Sequence, residues 1–99
     1  MDAFLIDGEL QGIEPVDVAC LADIAKLLGQ DTVISDEIDA RDAVYFDEDC
    51  FIRGTSGRFR VDNLAPIAGR AIVVGNARGE ELSNVSLSLD ELKGRVAFL

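Results

Sequence analysis

The clearest hydrophobic pattern in this chain is the unbroken run Ala71-Ile72-Val73-Val74, which closes on Gly75. An apolar run without alternation, rich in β-branched residues, predicts a strand buried on both faces. Around it the polar and apolar positions divide the chain into short elements. Residues 2–6 read as a strand closed by the Asp7-Gly8 turn pair, and Leu10 to Ile13 as a second extended piece. Glu14-Pro15 then reads as a helix start, because proline is preorganised for the first helical position and its missing N–H is no loss there. From Val16 to Leu28 the positions Val16, Cys20, Leu21, Ile24, Leu27 and Leu28 follow the 3.6-residue period, and Gly29 supplies a left-handed cap.

Beyond the helix, strands are expected around Thr32-Val33-Ile34, over Ala43-Val44-Tyr45-Phe46, and at Cys50-Phe51-Ile52 after the acidic turn Asp47-Glu48-Asp49. Gly54-Thr55-Ser56-Gly57 is loop chemistry, and Phe59-Arg60-Val61 a brief extended piece. Asn76-Ala77-Arg78-Gly79 turns the chain, and Glu81 to Leu87 is a strand or an irregular segment. Ser88-Leu89-Asp90-Glu91 fits a capping box that opens a short C-terminal helix through Leu92 and Val96, weakened by Gly94. The elements add up to a single α+β domain over residues 1–99. In the simplest arrangement one central helix packs on a small, mostly antiparallel sheet, with a short C-terminal helix beside it.

Composition refines this picture chiefly through charge. Apolar residues make up 48% of the 99 residues, enough for a core and too many for a disordered chain. With no Trp, one Tyr and five Phe, that core must be largely aliphatic. The first fifty residues carry fourteen carboxylates against two bases, Lys26 and Arg41, a formal charge of −12. The remaining forty-nine carry seven bases and five acids, so the total is −10. Phosphates would be repelled by such a surface, which argues against direct nucleic-acid binding. No apolar run approaches the roughly 20 residues that span a bilayer, and the N-terminus lacks the basic start of a secretory signal. A cytosolic protein is expected, with Cys20 and Cys50 as free thiols. Without histidine or paired cysteines there is no zinc motif, and the commonest general base is missing.

The stretch from Val44 to Gly75 resembles a small domain-of-unknown-function family common in phages, plasmids and actinobacterial mobile elements. Its members read as an apolar pair, Asp-Glu, a variable segment, an Asn, a nearby Ala, then Ile-x-Gly-x-Ala and Val-Val-Gly. Here that pattern is Val44-Tyr45-Phe46-Asp47-Glu48, Asn63 and Ala65, then Ile67-Ala68-Gly69-Arg70-Ala71 and Ile72-Val73-Val74-Gly75. The predicted helix sits where that family places one, between an N-terminal strand and a hairpin. This chain lacks the basic residues often found just after the Asn. The resemblance implies a fold and a mobile-element setting; since the family has no established activity, it transfers no catalytic residue.

Candidate chemistry lies in two places. Three carboxylate pairs, Asp7/Glu9, Glu37/Asp39 and Asp47/Asp49, have i,i+2 spacing, which on an extended strand sets both side chains on one face about 6.7 Å apart. Such rows could imitate a polyanion, or they could simply mark turns and solvated strand faces. The docking reading draws its partner-binding face from Glu37, Asp39, Asp42, Asp47, Glu48 and Asp49. The second place is the basic, Gly-rich segment Arg53-Gly54-Thr55-Ser56-Gly57-Arg58-Phe59-Arg60. Arg53, Arg58 and Arg60 could hold a small anionic ligand, or offset neighbouring acids. Asp47-Glu48-Asp49 lacks the order of a calcium loop, and no acid appears set between apolar residues as a catalytic carboxylic acid would be.

The expectation is therefore a small acidic, non-enzymatic interaction protein of a phage or mobile element, without cofactor or metal. Its partner would be a protein with a basic surface, the outcome regulatory or antidefence inhibition, with no membrane contact. The alternative is an accessory module that binds an anion through the Arg53–Arg60 loop. A sheet edge could also support weak homo-oligomers.

Overall fold

The computed structural model describes residues 1–76 and 81–99. The expected Asn76–Gly79 turn has residues 77–79 outside the described residues; Asn76 itself ends a strand. The elements run β1 (Asp2–Asp7), β2 (Gly12–Asp17), α1 (Leu21–Leu28), β3 (Val33–Glu37), β4 (Asp42–Asp47), β5 (Arg58–Val61), β6 (Ile67–Ala68), β7 (Arg70–Asn76), β8 (Leu82–Ser83), α2 (Leu89–Arg95) and β9 (Val96–Phe98).

The Ala71–Val74 run is the centre of the molecule. It lies in β7, the middle strand of a fully antiparallel sheet ordered β2-β1-β7-β4-β3, with β8 paired to the end of β7. Register sets Phe4, Val44 and Val73 on one face and Leu5, Tyr45 and Ile72 on the other. Both faces are covered, which is why all four residues of the run are sealed from solvent. On the first face sit Phe59, Val61 and Ile67 of a second sheet, β6-β5-β9, together with Leu92 of α2. On the second face α1 lays Ile24 against Leu5, Ile72 and Val74, with Leu27 and Leu28 at its flank.

This architecture corrects the expectation of one central helix on a small sheet. Among the described residues, nine strands stand against two helices of eight and seven residues, and the organising element is a strand. The predicted helix over Val16 to Leu28 is also shorter than its periodicity implied. Val16 and Asp17 belong to β2, where Ala3 pairs with Val16 and Phe4 with Pro15. Sheet pairing with β1 outcompetes the isolated helical turn, and Pro15 is tolerated because β2 is an edge strand. Cys20 is extended and precedes α1 without a side-chain cap; instead the Asp23 carboxylate reaches back to accept from the Ala19 N–H at 2.8 Å. Gly29 does cap the helix in the left-handed region, at φ +74.

Cys50-Phe51-Ile52 is a second correction. The segment is a turn, closed by hydrogen bonds from Cys50 N to Asp47 O and from Arg53 N to Asp49 O. Its Ile52 is 86% exposed, while Phe51 carries the Arg58 guanidinium over its ring. The capping box is present in full: Ser88 Oγ accepts from Glu91 N, and the Glu91 carboxylate accepts from Ser88 N. The helix ends sooner than expected, at Arg95, and residues from Val96 onward turn into β9, paired with β5.

Candidate functional site

The three i,i+2 acid pairs do not form rows on strand faces. In each, the first acid is the last residue of a strand and the second lies in the turn that follows. Asp7 Oδ1 accepts from the N–H groups of Glu9 and Leu10, Asp47 Oδ1 from that of Asp49. In the third pair it is the turn residue that caps, since Asp39 Oδ1 accepts from Arg41 N and Asp42 N. Aspartates that bond the backbone two and three residues ahead stabilise turns. Of the two readings of this spacing, turn markers fit the structure, and rows of acids on one strand face do not.

The six acids assigned to one docking face are dispersed in the same way. Asp42 is buried at 1% exposure, accepting from Ser86 N at 2.8 Å and from the Ser86 hydroxyl. Asp47 is buried as well, bound by Arg53 Nε at 2.8 Å and by the Thr32 hydroxyl. Asp39 pairs with Arg95, which also grips Asp62, and Asp49 stands 3.9 Å from Arg53. Glu37 and Glu48 remain exposed and, among the described residues, make no ion pair. Sequence reasoning found no acid set against apolar residues, yet Asp42 and Asp47 bracket Ala43–Phe46 and are both buried.

These contacts set the acid response of the fold. At Asp39 the Arg41 N–H dominates and, with the Asp42 N–H and Arg95, outweighs the opposing effect of burial. At Asp47 burial is the largest single influence and disfavours the charge, but hydrogen bonds from Thr32, Asp49 N and Arg53 together exceed it. Both carboxyls are therefore held below their ordinary range. A carboxyl with a lower pKa folded than unfolded stabilises the fold above its unfolded pKa of about 3.9, and that stabilisation disappears as pH falls through the folded value. Denaturation midpoints should be flat above about pH 5 and fall progressively below about pH 4. Asp47→Asn should make that acid limb shallower, as read by urea titration across the range.

The arginine loop does not converge. Arg53 is committed to Asp47 and Thr32, whereas Arg58 and Arg60 alternate with buried Phe59 and Val61 on the solvent side of β5. An anion would meet Arg58 and Arg60 on an open strand face, without Arg53.

A cleft that sequence reasoning missed lies beside α1. The helix is about 12 Å long and 10–12 Å across, too small to cover a five-stranded face with strands about 4.8 Å apart. Over β3 and β4 the sheet is left open, forming a cleft of about 1100 Å³. Leu21, Ala22 and Ala25 form one wall; Val33, Tyr45 and Leu82 supply the apolar part of the other. Asn76 lines it too, only 8% exposed, with its Nδ2 donating to the Tyr45 hydroxyl. Its Oδ1 is buried and finds no hydrogen-bond partner among the described residues. Burial holds the Tyr45 phenol above its ordinary pKa, with the Asn76 amide and the Ser35 hydroxyl pulling the other way. Tyr45 and Asn76 are 31 residues apart and meet only because β4 and β7 are neighbours, so no local pattern announces the pair.

Among the described residues no group of three or more His, Cys, Asp or Glu side chains gathers to hold a metal ion. No described helix is long and apolar enough to cross a membrane. No protein-family model, curated protein or solved structure matches this chain.

Proposed function

We propose that this protein is a non-enzymatic interaction module that docks on a basic surface of another protein along the outer margin of β3. One observation carries the reading. β3 is an outer strand, pairing only with β4 among the described residues, and its acids Asp36 and Glu37, with Glu48 beside Thr32, have no counterion there. Glu37 and Thr32 lie about 17 Å apart along an extended strand, a span suited to several basic side chains. Like charge opposes edge-to-edge pairing of two copies at this strand, which favours a different, basic partner over self-association. The setting we propose is cytosolic, with Cys20 and Cys50 as thiols, and the Val44–Gly75 resemblance supports a phage or mobile-element origin. Inhibition of a protein that normally handles a polyanion is the role this chemistry fits best.

Charge reversal separates this from a general effect of net charge. Glu37→Lys/Glu48→Lys should reduce partner capture from a host lysate by at least about tenfold, and capture by the unaltered protein should fall as salt rises. Glu9→Lys/Glu14→Lys changes net charge equally at exposed positions elsewhere and should retain most capture. Capture indifferent to salt, or equally weakened by both variants, contradicts the assignment.

A further inference from the structure

We propose that the cleft between α1 and the β3–β4 side of the sheet is a binding site for a small apolar molecule bearing an N–H donor, neutral or cationic. This site is separate from the docking proposed at the β3 margin and does not depend on it. Three features of the cleft define the ligand. The walls of Leu21, Ala22, Ala25, Val33 and Leu82 offer aliphatic surface without bulky obstruction, which calls for an apolar body. Asn76 Oδ1 is a buried acceptor with no partner among the described residues, and a buried polar atom is normally satisfied, so the position calls for a donor. Asp31 and Glu81 line the cleft, its described lining includes no Lys or Arg side chain, and the ammonium of Met1, which also lines it, is already held by Asp17 Oδ1 and Val18 O. That charge balance accepts a cation and repels an anion.

Asn76 is hard to account for as a purely structural residue. It ends β7, the strand most sealed by apolar packing, and among the described residues its amide is satisfied at one end only. A side chain retained for stability alone would do better as leucine, since burial of an unpaired polar group destabilises. Residues that hold a fold below its attainable stability concentrate where ligands bind.

The test uses the full chain, and its single Tyr with no Trp makes Tyr45 fluorescence a direct reporter of the cleft. Three optically silent probes of matched shape are titrated: 1-adamantylammonium, adamantane-1-carboxamide and adamantane-1-carboxylate. The ammonium and the carboxamide are expected to change Tyr45 emission saturably, with the carboxylate at least about tenfold weaker. Asn76→Leu should keep or raise the urea midpoint while weakening both donor probes by about tenfold or more. Should that variant not fold, Leu21→Lys, at a position already 57% exposed, should weaken the ammonium about tenfold and the carboxamide much less. The proposal is overturned if no probe saturates, if the carboxylate binds as well as the others, or if a folded Asn76→Leu binds unchanged. It is overturned equally if Leu21→Lys, used in its place, affects all probes alike.

Discussion

Gly57→Ala is expected to destabilise the fold by about 3 kcal/mol or more, the combined effect of left-handed strain and overpacking. Gly57 has φ +82, and a Cβ built there overlaps the backbone of Gly8 and Glu9. Those atoms have little room to yield. Gly8 N donates to Gly69 O at 2.7 Å and Gly69 N to Gly57 O at 2.8 Å, so three chain segments are stitched at one point. The junction joins the β1–β2 turn, the start of β5 and the bend between β6 and β7, which locks the small sheet onto the large one. Gly12→Ala is the matched control: its Cβ would meet nothing within 4 Å, and the change should stay within about 0.5 kcal/mol. Urea denaturation of both variants decides the point; equal midpoints would show that the junction gives way freely.

Asp42→Ala should destabilise by about 3 kcal/mol, since two hydrogen bonds to a charged acceptor are lost from a site only 1% exposed. Both bonds go to Ser86, and they tie the 84–87 segment to β4. Val85 and Leu87 of that segment pack on the core beneath the small sheet, so loosening it uncovers apolar surface. Asp42→Asn retains an acceptor for Ser86 N and should lose about half as much. Partner capture by the folded fraction of Asp42→Ala should be unchanged. Glu37→Lys/Glu48→Lys should do the reverse, weakening capture with little effect on the denaturation midpoint, because neither residue has a partner to lose among the described residues.

The two substitutions bear on what the uneven charge of this chain does. Acids of the first half meet bases of the second at Asp7–Arg70, Asp39–Arg95 and Asp47–Arg53. Arg70 is 54% exposed, so its pair adds little, whereas Asp47 is buried beneath Arg53 and hydrogen-bonded on both oxygens. Part of the asymmetry is therefore consumed in closing hairpins and joining distant segments. Among the described residues, the first-half acids left without an ion pair, buried Asp42 apart, are Asp36, Glu37 and Glu48 at the β3 margin and, elsewhere, Asp2, Glu9, Glu14, Asp23 and Asp31.

The strong local signals of the sequence agree with the structure. The Ala71–Val74 run became a strand sealed on both faces, Gly29 capped α1, and Ser88 with Glu91 closed a capping box. Errors arose where pairing between distant segments decided the outcome. Val16 fits a helical stripe with Cys20 and Ile24, yet its place opposite Ala3 was available only to a chain that already had β1 in position. The small sheet is built from strands of two to four residues, too short to show a period. The aspartate pairs are visible in the sequence and admit two readings, strand-face rows or turn markers; the hydrogen bonds of Asp7, Asp39 and Asp47 make them turn markers. The cleft depends on the mismatch between a two-turn helix and a broad sheet, a property of the assembled layers alone.

Amide chemical-shift mapping with a short oligolysine peptide tests the docking account at its root. Perturbations are expected to concentrate at Asp36, Glu37, Glu48 and their immediate neighbours, and to vanish in Glu37→Lys/Glu48→Lys. Shifts spread evenly over the exposed acids of β2, α2 and the turns would contradict it.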